Sequence, residues 1–362
     1  MRRFAFLLSF LITGVCNAQT VVPFYQGEVD PRGEPELVVC TQNMNNFGLI
    51  QEVQQRNPNM GTEELAEKIK ALAARIRAAK CDVLAMQEVL GTEERAAIGL
   101  KALVAEIRQS SGRFFSLEVA PSNDKSSRNG FLIADDRAQV VSKLSFRKVE
   151  LPKLTEKQKP RLFIRGPYEL QLAVKPRGDS VPKTVTLVTF HFKSKRGAAG
   201  DPAGLAYETY RMEMAEGLRR IVANRHRDAF TSGERIVVLL GDRNSHLDAA
   251  SARILEGQLS LKHFQDGGPC RLSKRGVPLC QPGAATPAKL FSVLTGDTQT
   301  RSLPGTFRMN SEYSWLDDIL MPQESLRFGW VRPGSEGDFA SGTVSSYPEA
   351  SDHSMAFVAL NW

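Results

Sequence analysis

The chain has 362 residues, 42% hydrophobic and 24% charged, with a formal net charge of +7. This composition excludes a disordered or fibrous chain and supplies a sizeable core, in one large domain or two small ones. The positive balance suits a polyanionic substrate without requiring one, since a basic exported protein carries the same surplus.

The N-terminal stretch MRRFAFLLSFLITGVCNA reads as a secretory signal. Arg2 and Arg3 form its basic start. Phe4 to Val15 is an apolar run too short to span a bilayer comfortably, and Cys16, Asn17 and Ala18 supply small residues for cleavage after Ala18. The expectation is export to the periplasm or beyond, with two of the positive charges lost. No other stretch is long and apolar enough to cross a membrane, and no stable membrane association is expected. Of five cysteines, Cys16 leaves with the signal. Cys270 and Cys280 bracket the turn-like RLSKRGVPL and are predicted to pair in an oxidising compartment. Cys40 and Cys81 each open an apolar strand. They form a second bridge if those strands are neighbours and are buried thiols otherwise; the bridge is the favoured reading.

After an extended lead-in over 19–36, LVVCTQNMNNFG reads as a strand ending in amides. GTEELAEKIKALAARIRAAK is an amphipathic helix, with Leu65, Ile69, Leu72 and Ile76 on one face and Thr62 as its N-cap. CDVLAMQEV is a buried strand and ERAAIGLKALVAEIRQ a second helix. RFFSLEVA, NGFLIADD, AQVVSKLSF, YELQLAVKP and KTVTLVTFHF follow as strands. AYETYRMEMAEGLRRIVANRH is a long helix with Met212, Ala215, Leu218 and Ile221 on one side. RIVVLLGD is a strand buried on both faces. Residues 265–310 are rich in Pro, Gly and Ser and read as irregular. YSWLDDILM and SMAFVALNW close the chain as strands. Many strands with widely spaced helices, no repeat and no linker predict an α/β sandwich: two packed sheets covered by helices, in a single domain over 37–362.

Polar residues collect at the ends of these strands: Asn43, Gln87 with Glu88, His191, Asp242 with Asn244, Asp317 with Asp318, and Asp352 with His353. A single strand-end Asp is usually a cap or turn residue. Six such ends in one chain make a coherent chemical set. Glu88, Asn43 and a further Asp suit one hard divalent cation with oxygen ligands, whereas no Cys/His cluster stands at zinc spacing. Two histidines, each with an Asp in reach, suit proton transfer to and from a phosphoryl group. Arg165 presents a planar fork to phosphate.

The ordered motifs QNMNNFG, DVLAMQEV, IRGPYEL, FHFKSK, GDRN, LDDIL and SDHS resemble the endonuclease/exonuclease/phosphatase superfamily, the deoxyribonuclease I-like fold, along 37–362. HFKSKRG, TYRMEMAEGLRRIV and VVLLGDRN are similar to secreted bacterial nucleases. The resemblance implies a four-layer α/β sandwich of two mixed sheets and a hydrolase needing Mg2+, with Mn2+ or Ca2+ as alternatives. It implies an endonuclease acting on DNA, with RNA left open as a second substrate, and the chain is expected to be a monomer. It implies that Glu88 is the main metal ligand, with Asn43 and Asp352 beside the metal, and that Asn43, Arg165 and Asn244 meet phosphate. Asp242 would position or deprotonate the attacking water. His191 would be oriented by Asp317, and His353 by Asp352. Which histidine is acid and which base stays open.

Rivals keep the fold and change the substrate to sphingomyelin or inositol phosphates, or lose catalysis and only bind. Inositol polyphosphate phosphatases carry Arg where Asp318 stands, and apurinic-site endonucleases usually have a Tyr and a Pro-Asn where TFHFKSK stands. The family also more often has an apolar or aromatic residue where Arg243 stands, so Arg243 must find a carboxylate or reach solvent. Ser245 is expected to cap a helix starting near His246, which stays outside the site. Lys193 to Gly197 reads equally as a phosphate-gripping or a solvated loop.

Overall fold

The structure, a computed structural model, describes residues 34–178, 181–195, 201, 205–296, 301–303, 305–309, 312–329 and 340–362. The signal and most of the lead-in lie outside the described residues, as do Arg196 and Gly197 of the basic loop. The apolar runs become strands and the amphipathic stretches helices. In chain order they are β1 (Leu37–Phe47), α1 (Ile50–Gln54), α2 (Thr62–Ala78), β2 (Val83–Leu90), α3 (Glu93–Ser111), β3 (Phe115–Val119) and β4 (Ser127–Ala134). Then follow β5 (Ala138–Ser145), β6 (Arg165–Val174), β7 (Lys183–His191), α4 (Glu208–Arg225), α5 (Arg227–Thr231), β8 (Ile236–Asp242) and α6 (Ala250–Glu256). The Pro/Gly-rich stretch holds β9 (Cys270–Leu272), β10 (Pro278–Cys280), β11 (Leu290–Ser292), α7 (Val293–Gly296) and β12 (Phe307–Met309). The chain closes with β13 (Glu312–Ser314), β14 (Asp317–Pro322), β15 (Ser341–Val344) and β16 (Met355–Leu360).

Two six-stranded sheets form, ordered β15-β16-β1-β2-β4-β3 and β11-β14-β8-β7-β6-β5. Both are mixed: β1 with β2 and β7 with β8 pair parallel, and the other pairings are antiparallel. Strand alternation explains the layers. In β8, Ile236, Val238 and Leu240 face Val39, Val83 and Phe131 of the first sheet, while Val237 and Leu239 face Met212, Leu218 and Ile254 of α4 and α6. The outer face of the first sheet packs Leu84 and Met86 against Leu72 and Ile76 of α2 and Leu100 and Leu103 of α3. The result is the expected four-layer α/β sandwich. Each such side chain contributes roughly 1.5–3 kcal/mol on burial. Among the described residues no helix is long and apolar enough to cross a membrane.

Both disulfides are present. Cys81 lies two residues before β2, the parallel neighbour of β1, and meets Cys40 at a Cα separation of 6.1 Å. Cys270 and Cys280 close the β9–β10 hairpin at 4.1 Å. Four local expectations are corrected. Gly61, not Thr62, is the N-cap of α2, its N–H donating to Glu64 Oε2 at 2.8 Å. Ser245 caps nothing: the following helix starts at Ala250, and Ser245 Oγ is buried without a partner. YSWLDDILM is broken at Trp315 and Leu316, so β14 begins at Asp317. The 265–310 stretch holds three short strands before β12, one of them an edge of the second sheet.

Candidate active site

Register lines up four polar residues across the second sheet. Arg165 pairs with His191, His191 with Asp242, and Asp242 with Asp317. Neighbouring strands lie about 4.8 Å apart, so the four form one row at the strand ends. Gly241 fixes that row: a Cβ there would stand 1.9 Å from Phe190 O of the adjacent strand, so only glycine permits this β7–β8 approach.

The first sheet brings Asn43, Glu88 and His353 against this row. Asn43 Nδ2 donates to Asp242 Oδ2 at 3.0 Å, and His353 Nδ1 lies 2.6 Å from Asp317 Oδ2. Glu88 Oε1 and Asp242 Oδ2 lie 3.9 and 3.6 Å from His191 Nε2. Beneath them Gln87 Nε2 donates to Thr41 Oγ1 and Thr189 Oγ1, both at 3.1 Å, tying the sheets together. The backbone is distorted at these strand ends. Register shifts fall between Asn43 and Phe47, Met86 and Val89, and Arg165 and Tyr168. Asn45, Asn46, Glu88 and Asn244 adopt left-handed φ of 45°, 60°, 59° and 52°. Such residues cost about 1–3 kcal/mol each and concentrate where side chains are re-aimed for function.

The electrostatics divide the two histidines. Burial lowers the His191 pKa well below its usual value, and Arg165, His353 and Lys193 add positive repulsion. Arg165 Nη1 lies 2.7 and 2.8 Å from its two ring nitrogens, which suits a neutral imidazole accepting from a guanidinium. Burial also opposes charging of His353, but Asp317, by charge and hydrogen bond, with Asp242 and Asp352, raises its pKa to about 10. Asp242 is pushed up to about 7 by burial and by the Asp317 charge. It accepts from Asn43 and, through Oδ1, from the Asn244 N–H at 2.6 Å, while Asn244 Nδ2 reaches Oδ2 at 3.2 Å.

Two expected pairings are therefore exchanged. Asp317 orients His353 rather than His191, because β14 presents it to the loop entering β16. His191 is held by Arg165 instead. Asp352 reaches His353 only through its charge: its backbone carbonyl accepts from Arg308 N at 3.1 Å, and its carboxylate acts on Lys68 and Arg75 as well. Among the described carboxylates and histidines, the ligand atoms that gather within 4.8 Å belong to Asp242, Asp317 and His353. Asn43 is occupied, its Oδ1 accepting from Asn45 N at 2.9 Å while its amide holds Asp242. Asp317 Oδ1 is buried without a hydrogen-bond partner. That orphan carboxylate oxygen, within the Asp242–Asp317–His353 cluster, fits a hard divalent cation.

Asp318 leaves the site and supplies the partner that Arg243 needed. Arg243 Nη1 stands 3.0 Å from Asp318 Oδ2 in a buried ion pair, and Nη2 donates to Trp315 O at 3.0 Å. Arg243 and Asn244 thus diverge as an extended end would have them, although Asn244 turns left-handed. Exposed His246 stays outside. Residues not anticipated are Lys68, Arg75, Asp124 and Phe307. Lys68 is 4% exposed and donates to Asn45 O at 2.7 Å between the fields of Asp352 and Glu88. Arg75 donates to His353 O at 2.5 Å and to Gln42 Oε1 at 3.0 Å. Asp124 lies 3.9 Å from Arg165 Nε, and the Phe307 ring is 4.8 Å from that of His353. For the two cations a signal existed: they stand seven residues apart within the apolar stripe of α2.

No protein-family model and no curated protein matches the chain. Solved structures do. The catalytic domain of human Nocturnin, with bound sulfate, superposes with a TM-score of 0.51 at 13% identity, over 90% of this chain and 94% of that one. An endonuclease/exonuclease/phosphatase family protein from Bacteroides thetaiotaomicron gives 0.50 at 15% identity, over 90% and 97%. D. rerio TDP2, complexed with a single-strand DNA product, gives 0.51 at 14% identity, over 90% and 99%. At these identities the likeness is one of fold: the chain has the endonuclease/exonuclease/phosphatase, deoxyribonuclease I-like architecture.

Proposed function

We propose that this chain, on a deoxyribonuclease I-like fold, is an exported, Mg2+-dependent phosphodiesterase, an endonuclease that hydrolyses DNA. The observation that carries the reading is the Arg165–His191–Asp242–Asp317 row closed by His353 from the other sheet. Water attacks phosphorus in line. Asp242, with a pKa near neutrality and fixed by Asn43 and Asn244, takes the proton from that water. His353 is held as an imidazolium by Asp317, which leaves Nε2 as a charged donor to a phosphate oxygen. Arg165 and neutral His191 face the remaining oxygens, where preorganised donors matter most as charge builds. Mg2+ would be held by Glu88 with Asp317 Oδ1, leaving Asp242 free as the base, and would neutralise charge on the phosphoryl group when bound. Export rests on the basic and apolar N-terminal stretch, and the two disulfides suit an oxidising compartment.

The test is a hydrolysis panel with purified protein and Mg2+: supercoiled plasmid, single-stranded DNA, RNA, sphingomyelin and inositol phosphates. Plasmid nicking is expected. Turnover of lipid or inositol phosphate without nicking would overturn the substrate assignment.

A further inference from the structure

The β9–β10 hairpin plays no part in the chemistry above, yet it is stapled at its base and seated against the body of the fold. The Cys270–Cys280 bridge closes its base. Its tip is tied by Ser273 N to Val277 O at 2.9 Å and by Val277 N to Ser273 Oγ at 3.0 Å. Lys274 and Arg275 stand exposed on that tip. Gly276 seats it: its carbonyl accepts from Ala250 N at 2.9 Å, and a Cβ there would lie 2.8 Å from Leu205 and 3.5 Å from Glu208 Cγ. The tip is therefore pressed against the start of α4.

From the same place a line of cations runs back to the reaction centre. Glu208 is consumed by Arg211 Nε and Ser251 N, both at 2.9 Å. Arg211 Nη1 then donates to Lys193 O at 3.1 Å, two residues beyond His191. Lys193 Nζ lies 4.0 Å over the Tyr207 ring. Lys195 is within the fields of both Glu208 and Asp242, so it bridges the hairpin side and the site. Burial and neighbouring guanidinium groups lower the pKa of both lysines, that of Lys195 to about 8. Clustered positive charge of this kind is relieved by a polyanion.

We infer that the stapled hairpin is a distal phosphate grip. A nucleic acid strand whose scissile phosphate lies at Arg165 and Asp242 continues over Lys193 and Lys195 and places a further phosphate on Lys274 and Arg275. This deepens the nuclease reading and rests on it, and it makes the substrate a polymer rather than a small phosphate ester. The disulfide serves the grip by fixing the tip before binding, which reduces the entropy lost on association.

The experiment compares wild type with K274E/R275E in two assays. The first is binding of a short labelled duplex in chelator, titrated with salt. The second is Mg2+-supported hydrolysis of bis(p-nitrophenyl) phosphate, too small to reach the hairpin. The charge reversal is expected to weaken duplex binding about tenfold at low salt and to flatten the log–log salt slope by about 2, since each phosphate contact carries about 0.9. Turnover of the small diester stays unchanged. C270S/C280S, which leaves the charges and frees the tip, should weaken duplex binding less. Equal duplex affinity and slope in wild type and charge-reversal variant would overturn the grip, as would an equal loss on the small diester. The nuclease reading fails separately, if wild type binds duplex through the hairpin but hydrolyses neither substrate.

Discussion

His353 Nδ1 lies 2.6 Å from Asp317 Oδ2, and the two residues come from different sheets. The contact joins the loop entering β16 to the first residue of β14, so the candidate site exists only where the sheets meet. Arg75 and Phe307 hold the histidine from the other sides. Replacing Asp317 by Asn removes the charge that keeps His353 an imidazolium. The His353 pKa should fall from about 10, and kcat/KM should drop about 10²–10⁴-fold. His353→Ala should lose as much. Plasmid nicking and an NMR titration of the ring check both, and undiminished nicking by either variant rules out the proposed role.

The same assignments fix a pH profile. Asp242 must be ionised to accept a proton, and it ionises near 7. His353 must stay charged, and it holds its proton up to about 10. The kcat/KM of the wild type should rise through about pH 7, level off, and fall as pH approaches 10. In Asp317→Asn the alkaline limb should move toward lower pH. A profile declining above pH 7 in the wild type would reverse the roles of the two groups.

Asp242 is also a stability liability. Its folded pKa is raised, so the folded state binds a proton more tightly than the unfolded chain, and stability falls as pH climbs from about 4 to about 7. Asp242→Asn cannot ionise. It should abolish activity while gaining on the order of 2–4 kcal/mol over wild type at pH 8, with the advantage vanishing near pH 4. Urea unfolding at the two pH values measures the difference; one that is independent of pH would contradict it.

How much of this was legible in the chain follows from which interactions are local. The strand β8 could be read from Ile236 to Leu240 because continuous apolar residues need burial on both faces, and the polar ends marked Asn43, Glu88, His191, Asp242 and His353. The partner of each histidine could not be read that way. Asp317 pairs with His353 across 36 residues and two sheets, and nothing adjacent in sequence distinguishes it from Asp352. Arg243 posed its own question beforehand, a buried cation needing a carboxylate, and Asp318 answers it because β14 lies beside β8. Ser245 misled because a capping residue type after a strand marks a turn as readily as a helix start.

Divalent metal should be visible without turnover. The buried Asp317 Oδ1 is an unpartnered oxygen donor, and Glu88, beside His191, is the second ligand of the proposed site. Mg2+ at a hundred times its Kd should stabilise the protein by about 2.7 kcal/mol. Glu88→Gln should lose most of that increment. Thermal melts with chelator and with Mg2+ would read it, and identical melting temperatures in the wild type would count against the site. Chelator should also stop nicking, and added Mg2+ should restore it.

Gly241 offers the sharpest structural test, because it acts through the row and not through any reacting group. A methyl group there would stand 1.9 Å from Phe190 O, and that carbonyl belongs to the residue preceding His191. Gly241→Ala must therefore push β7 and β8 apart at the point where His191 meets Asp242. Overpacking in a close-packed interior costs about 1–3 kcal/mol, occasionally more, and here backbone rather than a pliable side chain must yield. The variant should melt lower than wild type and lose activity out of proportion to its lost stability, because Asp242 and His191 are displaced together. Gly233→Ala provides the control: it is also crowded by backbone, Glu324 O at 2.5 Å, but it precedes β8 at the strand's other end. It should lose stability and keep its kcat. Equal kcat in both folded variants would mean that the β7–β8 register does not set the catalytic geometry.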